Sequence, residues 1–208
     1  MDVQFVMTAF FTLFVVIDPL GLSPMFIALT QGMSRKTRFG IALRACAVAA
    51  GVLTLFAVFG DKVLGYAGIS MPAFRVAGGI LLFLTALDML FERRTKRREN
   101  QADASHQEPE HDPSVFPLAI PLIAGPGAIA AMILLAGQQP GVESLVLTLG
   151  VMLSVLMIVF ALFLGSELLE RALGPIGTNV VTRVLGMLLA ALAVQFVMDG
   201  LTAFGFAG

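Results

Sequence analysis

Apolar residues in this chain come in long, nearly unbroken runs, not in the period-2 or one-faced period-3.6 patterns of elements that meet water. A helix that crosses hydrocarbon needs about 20 mostly apolar residues. Six stretches qualify, at about 3–29, 40–60, 71–91, 115–136, 145–165 and 180–204. Two of them carry an interruption near the middle: Asp18-Pro19-Leu20-Gly21 in the first, and Pro121 with Gly125-Pro126-Gly127 in the fourth. The pattern predicts an all-α membrane protein of six transmembrane helices in a single transmembrane domain, with helices 1 and 4 broken mid-membrane.

Residues 92–114 depart from this pattern. They open on Glu92-Arg93-Arg94-Thr95-Lys96-Arg97-Arg98 and turn acidic through Glu99, Asp103, Glu108, Glu110 and Asp112. They hold no aliphatic side chain larger than Ala and no aromatic ring. Such a stretch buries too little apolar surface to fold alone and reads as a flexible cytoplasmic linker. It divides the chain into a first half, 1–91, and a second, 115–208.

Composition agrees with the runs. Hydrophobic types make up 58% of the chain and charged types 13%, and the mean hydropathy is +0.92. A soluble domain is about half apolar and about a quarter charged, so the solvent expected here is lipid. The net charge of −1 matters less than where the charges fall. Arg35, Lys36, Arg38 and Arg44 follow the first run, Arg93, Arg94, Lys96, Arg97 and Arg98 follow the third, and Arg171 and Arg183 follow the fifth. Eleven of the 13 basic residues thus lie on one side of a six-span topology, leaving Lys62 and Arg75 on the other. The crowded side is expected to be cytoplasmic, with both termini on the non-cytoplasmic side of the cell (inner) membrane. Met1-Asp2-Val3 lacks the basic start and cleavage site of a signal peptide, so the first run reads as a retained span. The single cysteine, Cys46, rules out a disulfide within the chain. His106 and His111 sit in the linker and are too few for a zinc site, which wants about four ligands.

The two broken runs can be superposed. Phe14-Val15-Val16-Ile17-Asp18-Pro19 lies over Pro121-Leu122-Ile123-Ala124-Gly125-Pro126 at an offset of 107, and Arg75-Val76-Ala77-Gly78 over Arg183-Val184-Leu185-Gly186 at 108. Each half has three spans, so the second must enter from the opposite face. The expectation is two inverted three-helix repeats. Paired broken helices in corresponding places point to a transporter's binding site.

Asp18 is the sharpest chemical feature. A carboxylate near the bilayer centre costs at least about 3 kcal/mol on insertion scales. Pro19 cannot donate to the helix ladder and clashes with the preceding turn, and Gly21 and Pro24 weaken the turns that follow. Asp18 and the freed carbonyls could bind a proton, a sodium ion or a substrate ammonium; equally, Asp18 could cap a half-helix starting near Leu20. At the second break, Gly125, Pro126 and Gly127 could start a half-helix whose N–H groups and positive dipole end suit a carboxylate, or could form a packing kink. Taken together the two breaks suit a zwitterion. Gln195, deep in the sixth run, could bond a substrate or another helix. In antiparallel register, Arg75 falls opposite Asp199 and Asp88 opposite Arg183, either as helix 3–helix 6 pairs that exchange during alternating access or as independent snorkelling charges. Small residues at Ala47, Gly51, Ala73, Ala77, Gly150 and Ser154 suggest helix-packing points. There is no phosphate-binding glycine loop, no Ser/His/Asp arrangement and no cofactor motif.

The stretches Ile17-Asp18-Pro19-Leu20-Gly21-Leu22-Ser23-Pro24, Arg75-Val76-Ala77-Gly78-Gly79-Ile80-Leu81-Leu82, Pro121-Leu122-Ile123-Ala124-Gly125-Pro126-Gly127-Ala128-Ile129, and Ala193-Val194-Gln195-Phe196 with Gly200, resemble the MarC family of small bacterial and archaeal membrane proteins. The likeness covers nearly the whole chain outside the linker. It implies a six-span integral membrane protein, and some relatives are described as transporters of glycine and alanine. The motif positions that carry over are Asp18, Pro19, Gly21, Pro24, Gly125, Pro126 and Gly127.

The expected function is secondary transport of small neutral amino acids, by export or uptake, with the substrate gripped between the two broken helices. No organic cofactor, resident metal or nucleic acid is expected. The partners are a small solute and the bilayer, a coupling proton or sodium ion is open, and so is a homo-oligomer. The rival is a non-transporting membrane scaffold or accessory subunit. An enzyme is not expected, because Asp18 is the only candidate reactive group at its depth.

Overall fold

A computed structural model describes residues 3–93, 112–138 and 141–206. His106, His111 and most of the stretch read as a linker lie outside the described residues. The elements are α1 (Val3–Ile17), α2 (Pro19–Leu29), α3 (Arg35–Tyr66), α4 (Met71–Leu90), α5 (Ser114–Ile123), α6 (Pro126–Ala136), α7 (Val142–Leu164) and α8 (Ser166–Ala203). Five spans are long and apolar enough to cross a membrane, with α1 and α2 taken together as one, and a sixth follows if the bent pair α5–α6 is one span.

Pro19 has no N–H and its ring would strike the carbonyl one turn back, so the helix begun at Val3 cannot run through it. The chain turns on Asp18 alone, which adopts φ 58°, ψ 65°, a left-handed conformation open to Asp because its short side chain bonds locally. The helix resumes at once on Pro19 and continues through Pro24, which is exposed. The break is therefore confined to one residue, and Gly21 and Pro24 stand within regular helix. The second break is broader. Phe116 (φ −126°, ψ 126°) and Ile120 (φ −128°, ψ 123°) are extended inside α5, each pushed out of the helical region by the proline that follows it. The chain then bends by 57° into α6.

Two helices are longer than the apolar runs. Ser34 caps α3 by accepting from the Thr37 amide at 3.2 Å, so the helix starts among the basic residues and not near Gly40. Its 32 residues span about 48 Å, more than a hydrocarbon core of about 30 Å. Similarly α8 begins at Ser166, not near Val180, and bends at Gly174 (φ 61°), the residue before Pro175. In the second half α5 starts at Ser114, which is fully buried, so helical structure begins before residue 115.

The two short helices form the middle of the bundle. In α6, Gly127, Ala128 and every residue from Ala130 to Leu135 is buried, as expected of a helix apolar on all sides and enclosed by others. It packs on α3 and α4, while α2 packs on α7 and α8. The outer helices leave Val146, Leu153 and Met157 of α7, and Val184, Leu188 and Met198 of α8, exposed, a surface suited to lipid chains.

The α4–α8 pair is antiparallel and very close. A Cβ at Gly79 would lie 2.8 Å from the Ala193 carbonyl oxygen, one at Gly200 3.0 Å from the Pro72 oxygen, and one at Gly186 3.3 Å from the Ala86 oxygen. The contacts recur every seven residues on both helices, through Pro72, Gly79 and Ala86 on one and Gly186, Ala193 and Gly200 on the other. Small residues that let backbones meet serve as the contact surface where helices lack a hydrophobic drive to associate. The glycines singled out by four-residue spacing are not the contact points: nothing lies within 4 Å of a Cβ at Gly51 or Gly150.

Candidate functional site

The residues expected to form one site divide into two groups. The first gathers at the breaks. Asp18 is fully buried. Its Oδ1 accepts from the Gly21 amide at 3.1 Å and from the Thr182 hydroxyl of α8 at 3.4 Å. The carboxylate thus caps α2, and it also ties that half-helix to the second half of the chain. Thr182 is adjacent to Arg183, which places Asp18 nearer the basic end of α8 than the end holding Asp199.

The second break reaches the first. A Cβ at buried Gly127 would lie 3.3 Å from Val16 Cγ1 and 3.4 Å from Thr85 Oγ1, so the start of α6 sits against α1 two residues before Asp18. Gly125 begins α6 with no side-chain cap. Pro126 is exposed, as Pro24 is, so neither proline ring points into this buried contact. The start of α6 therefore packs inside the bundle on the last turn of α1, and Asp18, two residues further on, caps α2 through the Gly21 amide.

Gln195 does not join them. Its amide donates to Asp199 Oδ1 at 2.7 Å, and both line a cavity of about 500 Å³ toward the far end of α8, with Arg75, Gln138, Gln4, Thr8 and Phe5 on the other walls. The antiparallel register sets Arg75 opposite Asp199 across α4 and α8, either as a pair or as independent charges. They share this cavity, but among the described residues no ion pair joins them; α4 and α8 meet at Gly200 while the two charged groups face the open space. At the opposite end Arg183 donates to Glu92 at 2.7 Å. The carboxylate that meets Arg183 is thus one turn beyond Asp88, because Glu92, at φ 58°, ends the helix and turns back toward α8.

The basic end is tied by further contacts between the two halves. Arg38 bonds Glu167 and donates to Ser166 Oγ at 3.1 Å, and Arg44 pairs with Asp112. The Arg38 guanidinium also lies 5.6 Å from the centre of the Phe26 ring, which stacks on Phe163 at 4.4 Å. Among the described residues no group of three or more His, Cys, Asp or Glu could hold a metal ion.

Several polar residues at these sites went unnoticed in the sequence. Thr8 lines the cavity, and Thr12, one turn further along α1, is fully buried with no partner for its hydroxyl among the described residues. The four-residue spacing of two threonines in an apolar run was the available signal. Thr182 could have been noticed only through its place beside Arg183.

The MarC family model, described as MarC family integral membrane protein, matches residues 3–204. A UPF0056 membrane protein of Methanocaldococcus jannaschii is 35% identical over 97% of this chain and 98% of its own. One of Archaeoglobus fulgidus is 40% identical over 95% of this chain and 92% of its own, and one of Bacillus subtilis 34% identical over 95% and 94%. No solved structure matches the chain. With five or six apolar spans and a family match over nearly its whole length, this multi-pass chain belongs to the MarC family of integral membrane proteins.

Proposed function

We propose that this protein is a secondary transporter of small neutral amino acids, such as glycine and alanine, built as two inverted repeats over residues 1–91 and 115–208. The reading rests above all on the meeting of two interrupted spans around one buried carboxylate. Non-helical backbone at membrane depth is tolerated where it is enclosed by protein or lines a cavity, and an ionisable group there is a functional site by default.

The repeat is supported by element boundaries that recur 107 residues apart: Pro19–Leu29 with Pro126–Ala136, and Arg35 with Val142 as the first residues of α3 and α7. Contacts recur in the same way. α2 lies on α8 as α6 lies on α4, and α1 lies on α7 as α5 lies on α3. Each short helix has 11 residues, about 16 Å, or half a hydrocarbon core. In this reading Asp18 carries the coupling proton or sodium ion, both termini face away from the cytoplasm of the cell (inner) membrane, and the Arg183–Glu92 and Arg75–Asp199 positions close alternately.

The test is counterflow of labelled amino acids in proteoliposomes holding the purified chain. Wild type exchanges glycine and alanine, and Asp18→Asn inserts normally but loses or uncouples flux. Normal flux by Asp18→Asn across a range of pH would refute its role. Absence of flux for every amino acid, together with a protein partner retained on gentle extraction, would replace transport by a scaffold role.

A further inference from the structure

The two ends of the α4–α8 pair carry related charges in different states. At the basic end Arg183 is closed on Glu92. At the other end Arg75, 108 residues earlier, has a buried Nε without a partner among the described residues and faces the 500 Å³ cavity. A guanidinium always carries its charge and offers five N–H donors and no acceptor, so an arginine lining a cavity asks for an anionic or carbonyl oxygen there. Asp199 stands in the same cavity. Gln195 fixes its carboxylate with one hydrogen bond, which leaves most of its acceptor positions for a donor in the cavity.

We propose that this cavity is a binding site for a small dipolar solute that carries both a carboxylate and an ammonium. Arg75 clamps the carboxylate, and Asp199, held by Gln195, seats the ammonium. One positive and one negative side chain make the charged lining neutral overall. A solute with a carboxylate alone leaves Asp199 unmet, and an amine alone leaves Arg75 unmet; a zwitterion meets both. The neutral amides of Gln4 and Gln138 and the hydroxyl of Thr8 offer hydrogen bonds without changing that balance. The volume lies within the usual range of about 300–1,000 Å³ for small-molecule sites, and bridging waters can fill what glycine or alanine leaves. This site is separate from the breaks: Asp18 is ten residues beyond Thr8, about 15 Å along α1, with the unpartnered hydroxyl of Thr12 between them. The choice of an amino acid as ligand rests on the transport reading, but the two-ended grip does not require flux.

The test is isothermal titration calorimetry on the purified full chain in detergent, with glycine, L-alanine, propionate and ethylamine as probes. Alanine binds, and propionate and ethylamine bind at least about tenfold more weakly, since each lacks one charge-assisted contact. Arg75→Gln and Asp199→Asn each weaken alanine binding by about 30-fold or more, and Arg75→Lys restores part of the loss. Asp199→Asn is isosteric and serves if Arg75→Gln fails to fold. Wild-type affinity in a folded Arg75→Gln or Asp199→Asn protein, equal binding of propionate and alanine, or no binding of either amino acid by wild type would overturn the proposal. Binding without counterflow would remove the transport reading and leave this site standing; counterflow with unaltered binding in both variants would do the reverse.

Discussion

Gly79→Ala tests whether backbone contact between α4 and α8 holds the bundle. The new Cβ would lie 2.8 Å from the Ala193 carbonyl oxygen, 2.8 Å from Val197 Cγ2 and 3.0 Å from the Val197 nitrogen. An ordinary carbon–oxygen contact is about 3.3–3.6 Å, so the helices must part by about half an ångström. Two of the three atoms are backbone and cannot rotate away. A gap of about 0.5–1 Å forfeits a quarter to a half of each contact's attraction, and overpacking in folded cores costs about 1–3 kcal/mol. Alanine's better helix propensity returns about 1 kcal/mol, leaving a net loss of up to about 2 kcal/mol. For a chain of this size that lowers the melting temperature by up to about 8 °C, taking about 2–4 °C per kcal/mol.

The assay can use the protein's own thiol. Cys46 is the single cysteine and is 9% exposed, so a thiol-reactive fluorogenic dye that labels it on exposure follows unfolding in detergent without an added cysteine. Gly51→Ala and Gly150→Ala are the controls, because open space surrounds both positions. They should melt at or above the wild-type temperature. If Gly79→Ala melts within about 1 °C of Gly51→Ala, the contact carries less than about 0.5 kcal/mol, and the seven-residue glycine register does not hold the helices together.

Three further outcomes follow from named contacts. A Cβ at Gly60 would lie 2.6 Å from Ile133 Cγ1; Gly60→Ala should destabilise, and with Ile133→Ala the loss should fall short of the summed single losses by at least about 0.5 kcal/mol, a coupling that strict additivity would disprove. In a Cys46→Ser background, Val16→Cys and Gly127→Cys should lose both free thiols as one intrachain bridge on mild oxidation, read by intact mass; two persistent thiols would place the breaks apart. The Arg183–Glu92 pair is 52% and 38% exposed, so Arg183→Gln should change stability by no more than about 1 kcal/mol, and a melting shift beyond about 5 °C would mean that the pair belongs to the packed interior.

The apolar spans were readable in the sequence because long apolar runs need lipid, and Pro19, Pro121 and Pro126 marked where a helix cannot run on with its ladder intact. The extent of the disturbance was not readable: one residue suffices at Asp18, whereas two X-Pro steps and a glycine are involved at the second break. Helix ends were underestimated at Arg35 and Ser166, because hydropathy stops at the lipid boundary while Ser34 and Gly174 set where the backbone starts and bends. Three-dimensional neighbours were hardest to infer. Antiparallel register placed Arg75 near Asp199, yet only the packed structure reveals that a cavity holds them apart. The close backbone contacts recur every seven residues through Pro, Gly and Ala, a register that no run of glycines in the sequence announces.

The comparison of α2 with α6 bears on what Asp18 does. Both helices have 11 residues, both start on proline, and both follow a break. α6 begins on Gly125 with no side-chain cap, so this architecture forms without one. Where a cap is wanted, Asn and Ser serve about as well as Asp, without the insertion cost of at least about 3 kcal/mol that a carboxylate carries at depth. Capping therefore accounts for a polar residue at position 18 but not for a charge. The left-handed turn does not require the charge either, since Asn adopts it as readily. What distinguishes Asp from Asn is the ability to hold a cation or exchange a proton, and Asp18 is a buried carboxyl placed where α1 gives way to α2 and α2 is tied to α8. Asn at this position keeps every geometric role of the residue and removes that one property, so the behaviour of Asp18→Asn separates a site from a brace.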